Sequence, residues 1–292
     1  MDIKEKTFNK YKMFIRILFG LGTAAAVLFI YSVLTSYDKE LHYFALNDIK
    51  PVIYVCVVIV ITVCALLSGF LLPKETGFND KTLKNRRTTL SAVTDALCAI
   101  GIALVVISRI KPFINLSGNV LVDFTGKRIR ILYGILIFTG ILAFAFFVYD
   151  CFGKNKAVRG AFGIGLLLFF VCYLLCIYYD TTIPINSPMR IMNQVSCISV
   201  IIWFMLEIRA ILRFTKPILY VAMGVIAYTF SVSLSVSTLL AMGIKIIDFN
   251  INALVGSVML LTMAVHCTVR VRSIIMSNSK SSTVKNHTEI KQ

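Results

Sequence analysis

Long apolar runs broken by short polar ones set the pattern of this chain. Eight stretches of about 20 residues lack the alternation of a strand and the one-sided stripe of a surface helix, and each is long enough to cross a bilayer as a helix. The expected spans are 13–34, 51–72, 90–108, 131–149, 161–179, 191–208, 217–242 and 251–269. A barrel strand needs only about 9–11 residues of strict alternation, so strands are excluded. Pro51 and Pro217 fall at first-turn positions, where a missing N–H costs little. The first run is too long for the apolar core of a signal peptide and no small-x-small site follows it, so it reads as a retained span. The expected fold is all-α, an integral membrane bundle of eight transmembrane helices over residues 1–272. A polar, disordered cytoplasmic tail is expected over 273–292.

Composition supports that class. The 292 residues are 58% hydrophobic with a net charge of +16. A basic balance of this size could suggest nucleic acid, but no soluble domain exists to carry such binding. The Lys and Arg residues instead flank the spans. Twenty lie on the side of the two termini and nine on the other, with Arg16 inside the first span. The positive-inside rule then places both termini in the cytoplasm of a cell-membrane protein, its basic loops beside anionic lipid headgroups. The third loop, with five basic residues on the outer side, runs against the bias. Within it, Phe113–Leu116 and Val120–Phe124 flank Ser117-Gly118-Asn119, which suits either a small outer hairpin or an irregular loop. Tyrosines gather near both expected boundaries, as interfacial belts do.

Breaks in the apolar pattern locate candidate chemistry, because polar groups inside lipid are costly and usually face the bundle interior. Two layers emerge. Toward the cytoplasm, Asp95, His266 and Arg16 fall at similar depth, suggesting a proton or ion relay or a pair that fixes helix packing. Asp150 and Glu207 lie at the boundary and read as solvated. Toward the outside, Tyr228, Ser231, Ser235 and Thr238 share one face of the seventh span, and Asn193 and Gln194 lie about one turn into the sixth. This set reads as pocket lining or as hydroxyls bonded to their own helices. Trp203 lies away from both boundaries, where its N–H calls for a partner in the bundle or its ring fills space by shape. Two short similarities, 15–20 with 129–134 and 50–54 with 216–220, have unequal offsets and describe no duplication.

Other chemistry is missing. The eight cysteines include no C-x-x-C pair, and the three histidines are too dispersed for a zinc site, so no metal or cofactor is expected. No Walker, H-E-x-x-H or G-x-S-x-G motif occurs. The favoured reading is a non-catalytic accessory, sensor or regulatory component, perhaps acting with another membrane protein. The alternative is a transporter or permease for a small polar or ionic solute. An intramembrane enzyme acting on lipid or peptide comes third. A cavity joined to Asp95 by polar groups would favour transport; Asp95 facing lipid would count against it.

Overall fold

A computed structural model describes residues 3–45, 47–68, 89–118, 124–152, 155–180, 184, 186–212 and 217–289. It contains eight long helices: α1 (Ile3–Ser36), α2 (Lys50–Leu67), α3 (Thr89–Gly118), α4 (Phe124–Phe152), α5 (Lys156–Tyr178), α6 (Pro188–Ile211), α7 (Pro217–Gly243) and α8 (Ile251–Glu289). Each is long and apolar enough to span a membrane. The protein is therefore a multi-pass membrane bundle. The helices run alternately up and down, so the start of α1 and the end of α8 point to one face, here called the terminal face.

Six helices close a ring in the order α3–α4–α5–α6–α7–α8, with α8 returning to α3. Helices α1 and α2 lie outside it and dock mainly on α7. α7 accordingly touches four neighbours and has the most buried span, whereas α2 has the least. Val52, Val55, Ile59 and Val63 on α2 are exposed, as residues facing hydrocarbon should be. Helix contact depends on glycines where backbones come close. At Gly101 a Cβ would lie 2.9 Å from Thr262 Oγ1 and 3.1 Å from the Met259 Cα, so α3 approaches α8 closely there.

Helix ends follow local chemistry. Asn155 caps α5, its side-chain oxygen accepting from the Ala157 N–H at 3.0 Å. Asn250 caps α8 in the same way, accepting from Asn252 and Ala253 at 2.9 and 3.4 Å. Pro188 lies in the first turn of α6.

The strands β1 (Tyr37–Asp38) and β2 (Tyr43–Phe44) form a small hairpin between α1 and α2. His42, in its turn, has a left-handed φ of 57°. The hairpin defines the second, or hairpin, face. The third loop contains no such element among its described residues. Phe113–Leu116 belong to α3, which runs through Pro112 as far as Gly118, and α4 begins at Phe124. Residues 119–123 lie outside the described set. Apolar periodicity persists past Ser108, and helix wins over turn chemistry. α8 likewise continues to Glu289, through most of the segment read as a tail.

Candidate functional site

Seven polar side chains meet near the terminal face, and every helix of the ring contributes at least one. α3 gives Asp95, α4 Asp150, α5 Arg159, α6 Glu207, α7 Tyr220, and α8 both His266 and Arg270. Arg270 is the hub. It donates to Asp150 and approaches Asp95 at 3.5 Å and Glu207 at 4.0 Å. Arg159 bridges Asp150 at 2.7 Å and Glu207 at 3.4 Å. Glu207 also accepts from the Tyr220 hydroxyl. His266 Nδ1 lies 3.1 Å from Asp95 and 3.4 Å from Thr94 Oγ1. Asp95, Asp150, Glu207, His266 and Arg270 are all buried. Three carboxyls face two guanidiniums and one imidazole. The cluster is neutral when His266 carries its second proton and has one net negative charge when it does not.

Depth along the sequence brings Asp95 and His266 together correctly. Arg16 is not with them: it is exposed on α1, outside the ring. Asp150 and Glu207, expected at a solvated boundary, are instead core members of the cluster. Their cations are Arg159 and Arg270, which the sequence reading assigned to loops and topology. The missed signal was opposite charge at matching depth on neighbouring helix ends, as with Asp150 and Arg159, nine positions apart in the sequence.

Toward the ring centre the cluster is covered by rings. His266 lies in a cage of Phe147, Trp203 and Phe204, with centroids 5.5, 5.6 and 6.0 Å away. Phe146 and Phe170 extend the layer. Gly224 makes room for the indole, since a Cβ there would meet Trp203 Nε1 at 3.1 Å. That N–H and His266 Nε2 find no hydrogen-bond partner among the described residues. For Trp203, fit by shape prevails.

On the hairpin side of this layer, a cavity of about 320 Å³ opens between the ring helices. α3 lines it with Arg109, α5 with Tyr173, α6 with Asn193, α7 with Thr238 and α8 with Asn252 and Ser257. Tyr37, Lys39 and His42 of the hairpin lie across its mouth. The hairpin is tied down there. Lys39 pairs with Asp248 at 2.5 Å, and the Ser187 hydroxyl donates to the His42 carbonyl at 3.0 Å. Beside it, Asp48 accepts from Ser36 and from the Lys50 backbone and ammonium. These contacts pull its carboxyl down to about 2.

The expected outer set divides. Asn193 and Thr238 line the cavity; Gln194 does not. Tyr228 faces α1, bonding Thr23 at 2.9 Å and meeting Phe19 edge-on. Ser231 and Ser235 are fully buried and have no hydrogen-bond partner among the described residues, in contrast to Ser233 and Ser237, which bond carbonyls of their own helix. Ser196 on α6 is also without a partner. Arg109 and Arg190, counted as loop charges, are the cavity's buried cations. Ser257 at the cavity and His266 at the cluster are nine residues apart on α8, roughly 14 Å at 1.5 Å per residue.

Among the described residues no group of His, Cys, Asp and Glu could hold a metal ion. No protein-family model, curated protein or solved structure matches the chain.

Proposed function

We propose that the protein is a membrane carrier that admits a small polar solute to the centre of its six-helix ring. This inverts the order favoured by the sequence, which ranked a non-catalytic accessory component first. The observation that carries the proposal is the cavity in the ring, open on the hairpin face and lined by five of the six ring helices. Sites of this kind, concave and built between helices with a few convergent polar groups, are where bundles hold small molecules. Below the cavity, partnerless Ser196, Ser231 and Ser235 and the indole N–H mark polar positions in an otherwise apolar barrier. Unpartnered buried hydroxyls cost about 1–3 kcal/mol each, and groups that serve a passing solute offset such a cost with function.

In this reading the bundle is open toward the hairpin face and closed by aromatic rings and an ionic belt at the terminal face. The closed end is the cytoplasmic one, from the twenty-to-nine bias of Lys and Arg. Asp95 and His266 serve as the proton site. Buried ion networks of this kind act as gates because they are costly when half-satisfied.

The test is uptake by proteoliposomes given a mixture of small metabolites, with retained solutes identified by mass spectrometry. A polar solute should accumulate above empty vesicles and above vesicles carrying Thr238→Trp, which fills the cavity. No such solute above both controls would refute carriage. The continuous aromatic closure favours one other reading, a receptor that binds without translocating. It predicts solute binding to the purified protein with no accumulation.

A further inference from the structure

We propose that the cavity recognises a carboxylate, held by Arg109, on a solute that also presents a hydrogen-bond donor to Asn252. This rests on the cavity being a solute site and names the class of solute. Arg109 is 91% buried, taken from its 9% exposure, yet no carboxylate pairs with it among the described residues. Among the described residues its hydrogen-bond and ring contacts are with Tyr133, whose hydroxyl lies 3.4 Å from Nη1 and whose ring lies 5.3 Å from the guanidinium carbon. A phenol and a ring face orient a guanidinium without neutralising it. Its Nε has no partner. A buried charge left in this state is costly, and an anionic ligand is the usual means of offsetting that cost.

Three further observations point the same way. The cavity wall carries three cations (Lys39, Arg109, Arg190) against two carboxylates (Asp180, Asp248), an excess of one positive charge. The N-terminal turns of α6 and α8 both line it, through Arg190 and Asn252, and the N-terminal end of a helix favours negative charge. On the opposite demand, Asn252 Oδ1 is a buried acceptor without a hydrogen-bond partner among the described residues. One anionic group and one donor are what these two unmet groups call for together. The volume, about 320 Å³, lies at the small end of the range of ligand pockets and fits a compact solute.

The test uses the full chain in lipid nanodiscs carrying Ala253→Cys on the cavity wall. Its labelling by an anionic sulfonatoethyl methanethiosulfonate is compared with labelling by the cationic trimethylammonium analogue. Peptide mass spectrometry separates this site from native cysteines. The anionic reagent should react about tenfold or more faster, Arg109→Gln should abolish the preference, and Arg109→Lys should retain most of it. Succinate or glutamate should slow the anionic reaction, and glucose should not. Equal rates for the two reagents, or a preference unchanged by Arg109→Gln, would overturn anion recognition while leaving the cavity intact. Failure of both reagents to reach the site would overturn the solute cavity itself.

Discussion

Replacing Arg270 by Met tests the cluster at its hub. The guanidinium serves Asp150, Asp95 and Glu207 while buried to 2% exposure. Met keeps most of the side chain's volume and removes its charge. Three carboxyls then face Arg159 and His266 alone, and Asp150 keeps one cation where it had two. Removing one partner from a buried ion pair costs about 3–5 kcal/mol, most of it the penalty on the charge left behind. Arg270→Met should therefore lower the free energy of unfolding in mixed detergent–SDS micelles by about that amount. Adding Asp150→Asn should restore part of the loss. The cycle of single and double variants should give a coupling of about 1.5 kcal/mol or more, since the two side chains are in direct contact. Arg16→Met is the control: exposed and outside the ring, it should change stability by less than about 0.5 kcal/mol. A loss below about 1 kcal/mol for Arg270→Met, or an equal loss for Arg16→Met, would refute the belt as described.

Three other outcomes are expected. Gly256→Ala places a Cβ about 2 Å from the Tyr173 hydroxyl, so the variant should lose about 1–3 kcal/mol in the same unfolding assay, and a loss within error would show that the cavity wall yields freely. Asp48 has a depressed carboxyl, near 2 against an ordinary 3.8; its stabilising contribution is therefore complete above about pH 4 and is lost as pH falls through 2. Asp48→Asn should remove that acid dependence from a pH series of melting temperatures, and a series matching wild type would count against the Ser36–Asp48–Lys50 contacts. Reporter fusions after Lys84 and Lys156 should read cytoplasmic and those after Asp48 and Asn119 external; a cytoplasmic reading after Asn119 would reverse the orientation.

The spans were legible because length and apolarity alone decide whether a helix can cross a bilayer. What sequence conveys poorly is azimuth. Arg16, Asp95 and His266 share a depth, but Arg16 points away because α1 lies outside the ring, and only packing reveals that. Tyr228 sits at the edge of a broad polar face, near enough to Ser231 to look like its companion, yet it turns toward α1. The partnering of Asp150 and Glu207 was hidden by the same charge counting that made the topology readable. Arg159 and Arg270 serve as orientation signals in that count and as buried counter-ions in the fold. Arg109 was misplaced for a simpler reason: α3 is longer than its most apolar stretch, so a residue read as loop is held inside the bundle.

The position of α1 and α2 has a mechanical consequence. The hairpin they carry lies across the cavity mouth, yet the helices themselves lean mainly on α7 and contribute no side chain to the ionic belt. The polar contacts that hold the hairpin there include Lys39–Asp248, which is partly exposed, and Ser187–His42, whereas the carboxylates of the ionic belt are buried. The two ends of the bundle are thus held by unlike means, a few light contacts at the mouth and a buried ionic belt at the base. In the carrier reading proposed above, such a division lets the first release without disturbing the second, so that the two ends need never stand open together.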